Sequence, residues 1–212
     1  KRLKKAFSWN SGFREFFAVK ACPNPHIISL LAKEGFGTDC SSMPELIMSE
    51  KVKVTGEAIM FSSNDTPKEE FVKARELGAI INLDDFTHID FLEKTLGKLP
   101  ELISFRYNPG PLRKTIKGNV IGNPEDAKYG LTKEQLFEGY KICKEKGVTR
   151  FGLHTMVVSN ELAIDNLVMT AEMLFELAKE VKEKLDITLE FVNVGGGIGV
   201  AYKPDQEPVN LE

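Results

Sequence analysis

Lys20 is the residue of this sequence whose type and position point most directly to chemistry. It follows the apolar run 16–19 and precedes Cys22-Pro23-Asn24-Pro25, so we predict that it lies just inside the end of a strand. A buried lysine has a lowered pKa, and its amine then becomes a better nucleophile that can form an imine with a carbonyl compound. The alternative is a lysine whose stem lies along the strand while its ammonium reaches solvent.

A glycine run, Gly195-Gly196-Gly197-Ile198-Gly199, follows another predicted strand. Such a run leaves backbone N–H groups open to an anion such as a phosphate. It does not match the dinucleotide fingerprint, because the last glycine of that pattern would fall on Val200 or Tyr202, and the Gly-Lys-Ser/Thr of a P-loop is absent. The alternative is a tight turn without a ligand.

Arg106 and His154 each end a predicted strand. The guanidinium of Arg106 calls for an acidic or phenolic oxygen, which either a structural carboxylate or a ligand would supply. A lone strand histidine such as His154 is more often a hydrogen-bonded core residue than a ligand. The sequence contains neither an HExxH pair nor a G-x-S-x-G elbow, which argues against a metal site and against a serine hydrolase.

Strand-like and helix-like segments alternate along the chain. The predicted strands are Phe16–Val19, Gly37–Asp39, Ala58–Phe61, Ala79–Asn82, Leu102–Tyr107, Arg150–Thr155 and Leu189–Val194. The predicted helices are Pro25–Glu34, Pro44–Ser49, Pro67–Leu77, Thr87–Leu96, Thr132–Lys146 and Glu161–Leu185. Two of these helices show a capping-box pattern, Thr66 with Glu69 and Thr132 with Gln135.

Such alternation predicts parallel strands joined by helical crossovers, in either an eight-stranded barrel or an open doubly wound sheet. Polar residues follow nearly every predicted strand, which favours the barrel, because a barrel gathers its chemistry at the carboxyl ends of many strands. We therefore expect an α/β fold, a parallel (β/α)8 TIM-type barrel. Since an eighth strand is missing, we expect residues 1–212 to be one barrel domain, truncated at both ends and without a C-terminal β domain.

Composition and charge narrow the functional classes. A net charge of −3 provides no basic field for nucleic acid, and no apolar run reaches the roughly 18 residues of a membrane helix. The N-terminus leads into no apolar segment of a secretory signal. The cysteines are odd in number and lack a CxxC pair, which favours a reducing, cytoplasmic compartment. We expect Cys22 and Cys40 to be free and buried.

Five blocks, in order along the chain, resemble the diaminopimelate decarboxylase family of fold-type III pyridoxal-phosphate enzymes. They comprise a lysine block, an aspartate-serine block, an Arg-x-Asn-Pro-Gly block, a Lys-aromatic-Gly block and the glycine run, at residues 17–25, 30–46, 106–110, 127–131 and 194–199. The resemblance covers almost the whole chain. It implies an alanine-racemase-like barrel, a small amino-acid substrate and a homodimer in which two chains build each site.

The resemblance also implies roles for individual residues. Lys20 would bind pyridoxal 5'-phosphate covalently, with Asp39 nearby and Arg106 close to the cofactor ring. The phosphate would lie against the backbone of the glycine run, with help from Ser159. These phosphate-binding glycines are Gly195, Gly196 and Gly197.

Two departures from the family pattern stand out. Met156, in the run that starts at His154, occupies the position where the family places a histidine against the pyridine ring. The family's Glu-Pro-Gly-Arg motif, which supplies a carboxylate to the ring nitrogen, has no match and is expected beyond Glu212. The chain by itself is therefore expected to be inactive or nearly so.

The function implied for the parent protein is the decarboxylation of meso-diaminopimelate to lysine, in lysine biosynthesis. The alternatives are a decarboxylase for ornithine, arginine or carboxynorspermidine, and a non-catalytic barrel that binds pyridoxal phosphate.

Overall fold

A seven-stranded parallel sheet organises the protein, as seen in a computed structural model that describes residues 2–110 and 128–211. Each strand is hydrogen-bonded to the next in chain order. The strands are β1 (Phe16–Ala18), β2 (Gly37–Cys40), β3 (Ile59–Ser63), β4 (Ile80–Leu83), β5 (Leu102–Tyr107), β6 (Arg150–Thr155) and β7 (Phe191–Asn193). The helices are α1 (Arg2–Ala6), α2 (Pro25–Lys33), α3 (Met43–Lys51), α4 (Lys68–Glu76), α5 (His88–Leu96), α6 (Lys133–Glu145) and α7 (Ile164–Leu185).

This unbroken strand order is that of a curled barrel wall, with helices in the connections between strands. The predicted fold class is thereby confirmed, and the predicted bounds of β5 and β6 match the structure at both ends. In an open doubly wound sheet the order would reverse at a switch point, and no reversal occurs among the described strands. Ala127, the first residue of the fourth family-like block, lies outside the described residues.

One of the two predicted helix caps is correct. At α6 the Thr132 side chain accepts the Gln135 backbone N–H at 3.3 Å, and the Gln135 side chain accepts the Thr132 N–H at 3.0 Å. The cap predicted at Thr66 is wrong. Helix α4 begins one residue later than predicted, with Pro67 at the N-cap, so the Thr66 hydroxyl is buried without a partner among the described residues.

Strand alternation separates the outer face of the sheet from the barrel interior. On the outer face, Cys40 and Thr38 hydrogen-bond to Ser49 of α3 at 3.2 and 2.9 Å. The rings of Phe105 and Phe151 both pack edge-on against Tyr140 of α6. Since successive side chains point to opposite faces, the residues next to them point inward. Asp39, Ser104, Arg106, Gly152 and His154 therefore line the interior.

The amino-terminal half of the interior, which we call the floor, is apolar. It is filled by Phe16, Met60, Ile80, Leu102 and Phe191. Gly152 makes room for this packing, since a Cβ at that position would lie 2.1 Å from the Phe191 ring. Below it, Arg150 pairs with Glu190 before β7 and with Glu57 before β3, at 2.5 and 2.6 Å. The Glu57 pair links β6 to β3, a strand three places away in the sheet.

The cysteines are free, as predicted, but Cys22 is exposed rather than buried. It follows a 3-10 turn over Val19–Ala21 that carries the chain out of the sheet, which explains its exposure. Cys40 and Cys143 are buried, and burial raises the pKa of these thiols to about 11 and about 12. Among the described helices, none is both long and apolar enough to cross a membrane.

Candidate functional site

The carboxyl-terminal half of the interior, which we call the mouth, gathers polar and charged side chains. Each lies in or directly after a strand or its closing turn, and together they represent all seven strands: Lys20, Asp39, Ser62, Asn82, Asp84, Arg106, His154 and Asn193. Because all the strands are parallel, their carboxyl ends meet at this single rim. The mouth is therefore the place where the fold brings together residues that are distant in sequence.

Lys20 lies at the mouth, but not inside a strand as predicted. Strand β1 ends at Ala18, and the following 3-10 turn is closed by a hydrogen bond from the Cys22 N–H to the Val19 carbonyl at 3.1 Å. The Lys20 side chain is exposed. The desolvation expected from the sequence is therefore absent, although the Lys20 charge still acts on Asp39 and His154.

Asp39 of β2 is an acidic group on which this charge acts. Burial raises the pKa of its carboxyl to about 6, although the charges of Lys20 and Arg106 act in the opposite direction. Its Oδ1 atom is buried and has no hydrogen-bond partner among the described residues. Asp39 thus has one oxygen available to a group at the mouth.

Arg106 of β5 is held on two sides. Its Nη1 atom lies 2.8 Å from Oδ1 of Asp84, and its guanidinium carbon lies 5.3 Å from the centre of the Tyr129 ring. The side chains of Arg106 and Asp84 are only 17% and 8% exposed, so this pair is largely shielded from water. The sequence left a structural carboxylate and a ligand as alternative partners, and the structure supplies the carboxylate.

His154 of β6 is buried and faces the same space. Burial, with the Arg106 and Lys20 charges, lowers the pKa of its imidazole to about 4, although the neighbouring Asn193 acts in the opposite direction. Its Nδ1 atom has no partner among the described residues. His154 is therefore neutral at physiological pH, and one of its ring nitrogens is available.

The glycine run packs against the segment that follows β6. The N–H of Glu161 donates to the Gly197 carbonyl and the N–H of Gly199 to the Glu161 carbonyl, both at 2.7 Å. Gly195 and Gly197 have φ of 77° and 95°, and a Cβ on either would lie 2.3 Å from a carbonyl oxygen of the neighbouring segment. These two glycines are therefore required by the backbone itself.

Gly196 differs from its neighbours, because a Cβ built there meets nothing within 4 Å. Its N–H donates to the sulfur of Met156 at 3.5 Å. A thioether is a weak acceptor, so this N–H can donate to a stronger acceptor instead. The structure thus brings Met156 to the glycine run, while Ser159 is exposed on the segment opposite.

Among the described residues, six buried side-chain atoms lack a hydrogen-bond partner, and four of the six face the barrel interior. These four are Asp39 Oδ1, Ser62 Oγ, Asn82 Nδ2 and His154 Nδ1. Buried polar groups without partners are costly and rare, so such a cluster indicates a place for a polar ligand. Together with the open space at Gly196, it fits a group that carries both a polar ring and a phosphate, as the family resemblance implies.

Ser62 and Asp84 are among the polar residues that follow predicted strands, but sequence reasoning assigned them no site role, and it did not single out Asn82 or Asn193. Asn82 offered the clearest signal, since it lies within the otherwise apolar strand Ile80–Leu83, all of it buried. Its side-chain oxygen accepts the Ser104 hydroxyl at 2.8 Å, which leaves its nitrogen pointing to no acceptor among the described residues.

Comparisons with known proteins agree with this geometry. The model of the pyridoxal binding domain of pyridoxal-dependent decarboxylases matches residues 1–212. Protein TabA of Pseudomonas amygdali pv. tabaci is 36% identical over all of this chain and 49% of its own length. Diaminopimelate decarboxylase of Thermoplasma acidophilum is 28% identical over 100% of this chain and 51% of its own.

A solved structure gives the same picture. The crystal structure of diaminopimelate decarboxylase from Helicobacter pylori complexed with L-lysine has a TM-score of 0.83 and 28% identity, covering 99% of this chain and 55% of that one. The chain thus spans about half the length of the curated relatives it matches. Since the family model covers the whole chain, this chain belongs to the pyridoxal-dependent decarboxylases, through their pyridoxal binding domain.

Proposed function

We propose that this chain provides the cofactor site of a pyridoxal-phosphate-dependent decarboxylase that converts meso-diaminopimelate to lysine and acts as a homodimer. The observation that carries the proposal is the mouth itself, where buried polar atoms of Asp39, Ser62, Asn82 and His154 have no partner among the described residues. Diaminopimelate decarboxylases among the relatives support the substrate, and the L-lysine bound to the Helicobacter pylori enzyme supports the product.

The residues of the mouth would divide the work of holding the cofactor. Lys20 would provide the amine for covalent attachment, and its exposure leaves that amine accessible. Gly196 would donate its N–H to the phosphate, with Ser159 on the opposite segment. When bound, pyridoxal phosphate supplies the electron sink for the electron pair left as carbon dioxide departs.

The ring environment follows from the charges at the mouth. Asp39 would stay close to Lys20 and stabilise its positive charge, while Arg106 would stand near the ring. His154, neutral because its pKa is about 4, would serve as a hydrogen-bonding group rather than as a cation. Met156 would pack on the ring through its polarisable sulfur, which cannot transfer protons as a histidine can.

A specific observation favours the alternative substrates. Met156 stands where the family resemblance places a histidine against the cofactor ring. This chain therefore departs from the family at a residue beside the part of the cofactor that reacts with the substrate. The alternative is therefore a decarboxylase for ornithine, arginine or carboxynorspermidine, or a barrel that binds the cofactor without catalysis.

The cofactor assignment is tested by trapping. The protein that contains this chain is incubated with pyridoxal phosphate, reduced with borohydride and digested, and the labelled peptide is identified by mass spectrometry. We expect the label on Lys20, its loss in Lys20→Ala, and its retention in the control Lys33→Ala, which changes an exposed lysine of α2. Label on a different lysine would contradict the assignment.

The substrate assignment is tested by carbon dioxide release. The same protein is assayed with meso-diaminopimelate, ornithine, arginine and carboxynorspermidine under saturating cofactor. We expect the largest kcat/KM for meso-diaminopimelate. Preference for another amino acid would support the alternative decarboxylases, and covalent labelling without any release would support the non-catalytic barrel.

A further inference from the structure

Asp84, which directly follows β4, links two separate structures at the mouth. One carboxylate oxygen, Oδ1, pairs with Nη1 of Arg106 at 2.8 Å. The other, Oδ2, lies 3.4 Å from the N–H of Gly130, and the same N–H donates to the Asp84 main-chain carbonyl at 3.1 Å. One residue thus contacts both the end of β5 and the segment that leads into α6.

Backbone hydrogen bonds fix the segment that leads into α6 to the end of β5. The Leu131 N–H donates to the Arg106 carbonyl at 2.7 Å, and the Asn108 N–H donates to the Leu131 carbonyl at 2.8 Å. Gly130 has φ of +94°, and a Cβ there would lie 3.0 Å from the Arg106 carbonyl oxygen. The turn therefore fits tightly, and it places the Tyr129 ring 5.3 Å from the Arg106 guanidinium carbon.

We propose that Asp84 is a positioning residue, which fixes the Arg106 guanidinium and the Tyr129–Gly130 turn together so that Arg106 faces the cofactor site. Asp84 restrains one nitrogen of the guanidinium, and Tyr129 covers one of its faces through a cation–π contact. Only a restrained arginine presents its charge at a constant distance from Asp39 and His154, the two groups on which that charge acts.

This inference rests on the proposed function for its purpose, but its geometry is independent of any ligand. It separates two roles that the Asp84–Arg106 pair could have. A pair that only stabilises the fold would matter for unfolding and leave cofactor binding unaffected once the protein is folded. A positioning pair would change the arginine and the cofactor affinity in a protein that remains folded.

The experiment compares Asp84→Asn with Asp85→Asn in the protein that contains this chain. Both variants remove one negative charge at adjacent positions, but Asp85 is exposed and its carboxylate contacts Thr87 instead of Arg106. The readouts are amide hydrogen exchange at Gly130 and Leu131, the NMR signals of the Arg106 side-chain nitrogens, and pyridoxal phosphate affinity from its absorbance.

We expect Asp84→Asn to speed amide exchange at Gly130 at least tenfold, to shift the Arg106 signals, and to weaken cofactor binding at least tenfold. Asp85→Asn should leave all three readouts as in the wild type. Unchanged exchange and Arg106 signals in Asp84→Asn would overturn the proposal, and so would altered signals with unchanged cofactor affinity. A wild type that binds no cofactor would instead defeat the proposed function, because the exchange and NMR readouts need no ligand.

A second variant covers the case in which Asp84→Asn fails to fold. Tyr129→Leu removes the ring from a half-exposed position and leaves the Asp84–Arg106 ion pair in place. We expect it to shift the Arg106 signals and to weaken cofactor binding about threefold. Signals identical to those of the wild type would overturn the part of the proposal that concerns the turn.

Discussion

The floor and the mouth of the barrel are built from the same strands, but they treat polar groups in opposite ways. At the floor, the charged Arg150 is paired with two carboxylates, and the interior above it is filled by apolar side chains. At the mouth, buried oxygen and nitrogen atoms of Asp39, Ser62, Asn82 and His154 lack partners within the described part of the chain.

This difference separates residues that serve stability from residues that serve function. An apolar layer gains free energy from burial, whereas an unpaired buried polar group loses it. Such groups are costly unless a ligand satisfies them, and four of the six among the described residues face the interior, which identifies the mouth as the candidate site. Substitutions that change side-chain volume should therefore destabilise the protein more at the floor than at the mouth.

The sharpest test of the floor is Gly152→Ala. The added Cβ would lie 2.1 Å from the Phe191 ring, so the ring must leave its place among the floor residues. We expect the free energy of unfolding to fall by about 2 kcal/mol, as for other overpacked cores. Urea denaturation measures this, with Gly196→Ala as the control. Equal stability of the two variants would contradict the contrast between floor and mouth.

The buried titratable groups of the mouth should make the free energy of unfolding depend on pH. The pKa of Asp39 rises from 3.8 to about 6 on folding, so the folded state retains a proton and its stability falls as pH rises through this range. The pKa of His154 falls from 6.5 to about 4, so its contribution to stability is lost as pH falls through that range. The two slopes oppose each other, each at about 1.4 kcal/mol per pH unit.

Single variants should therefore separate the two slopes. Relative to the wild type, Asp39→Asn should gain stability as pH rises from 4 to 6, and His154→Gln should lose it. Urea denaturation without cofactor at several pH values gives both curves. Parallel curves for the wild type and both variants would show that neither group titrates with the shifted pKa.

A third test addresses the glycine that faces open space. Gly196→Ala adds a Cβ that meets no atom within 4 Å, so we expect stability to change by less than about 0.5 kcal/mol. Pyridoxal phosphate should nevertheless bind about tenfold more weakly, because the methyl group blocks close approach to the backbone. Titration followed by absorbance measures the affinity, and unchanged affinity would remove Gly196 from the phosphate site.

The smallest effect is expected for Met156→Leu. The two side chains have similar volume, so packing is largely kept, and only the weak contact between the sulfur and the Gly196 N–H is lost. Cofactor affinity should stay within about threefold of the wild type. Met156→Asp, which places an acid at the same position, should be severe. Equal losses in both variants would contradict a packing role.

The sequence contained most of the fold because strand and helix patterns are local. The predicted bounds of the six-residue strands β5 and β6 match the structure at both ends. The cap at Thr132 also follows from local spacing. The cap at Thr66 failed, since Pro67 shifts the start of α4, and a pattern of residue types does not fix the first helical residue.

The site was less predictable because burial is a tertiary property. Lys20 lies in an apolar run yet is exposed, since the chain leaves the sheet through a 3-10 turn. Asp84 is a single aspartate beside Asp85 in the sequence, and only the fold distinguishes the one that contacts Arg106. Which of the polar residues face the interior depended on the register of strands far apart in the chain.

The fit of Phe191 over Gly152 has a consequence for how this sequence can evolve. The two positions lie in register on neighbouring strands, and the aromatic ring occupies the volume that a side chain on the glycine would need. The side-chain volumes at the two positions therefore depend on each other. Related sequences should vary them as a pair, with a larger residue at 152 accompanied by a smaller one at 191. A library randomised at both positions and screened for folding should yield folded barrels that neither single change permits.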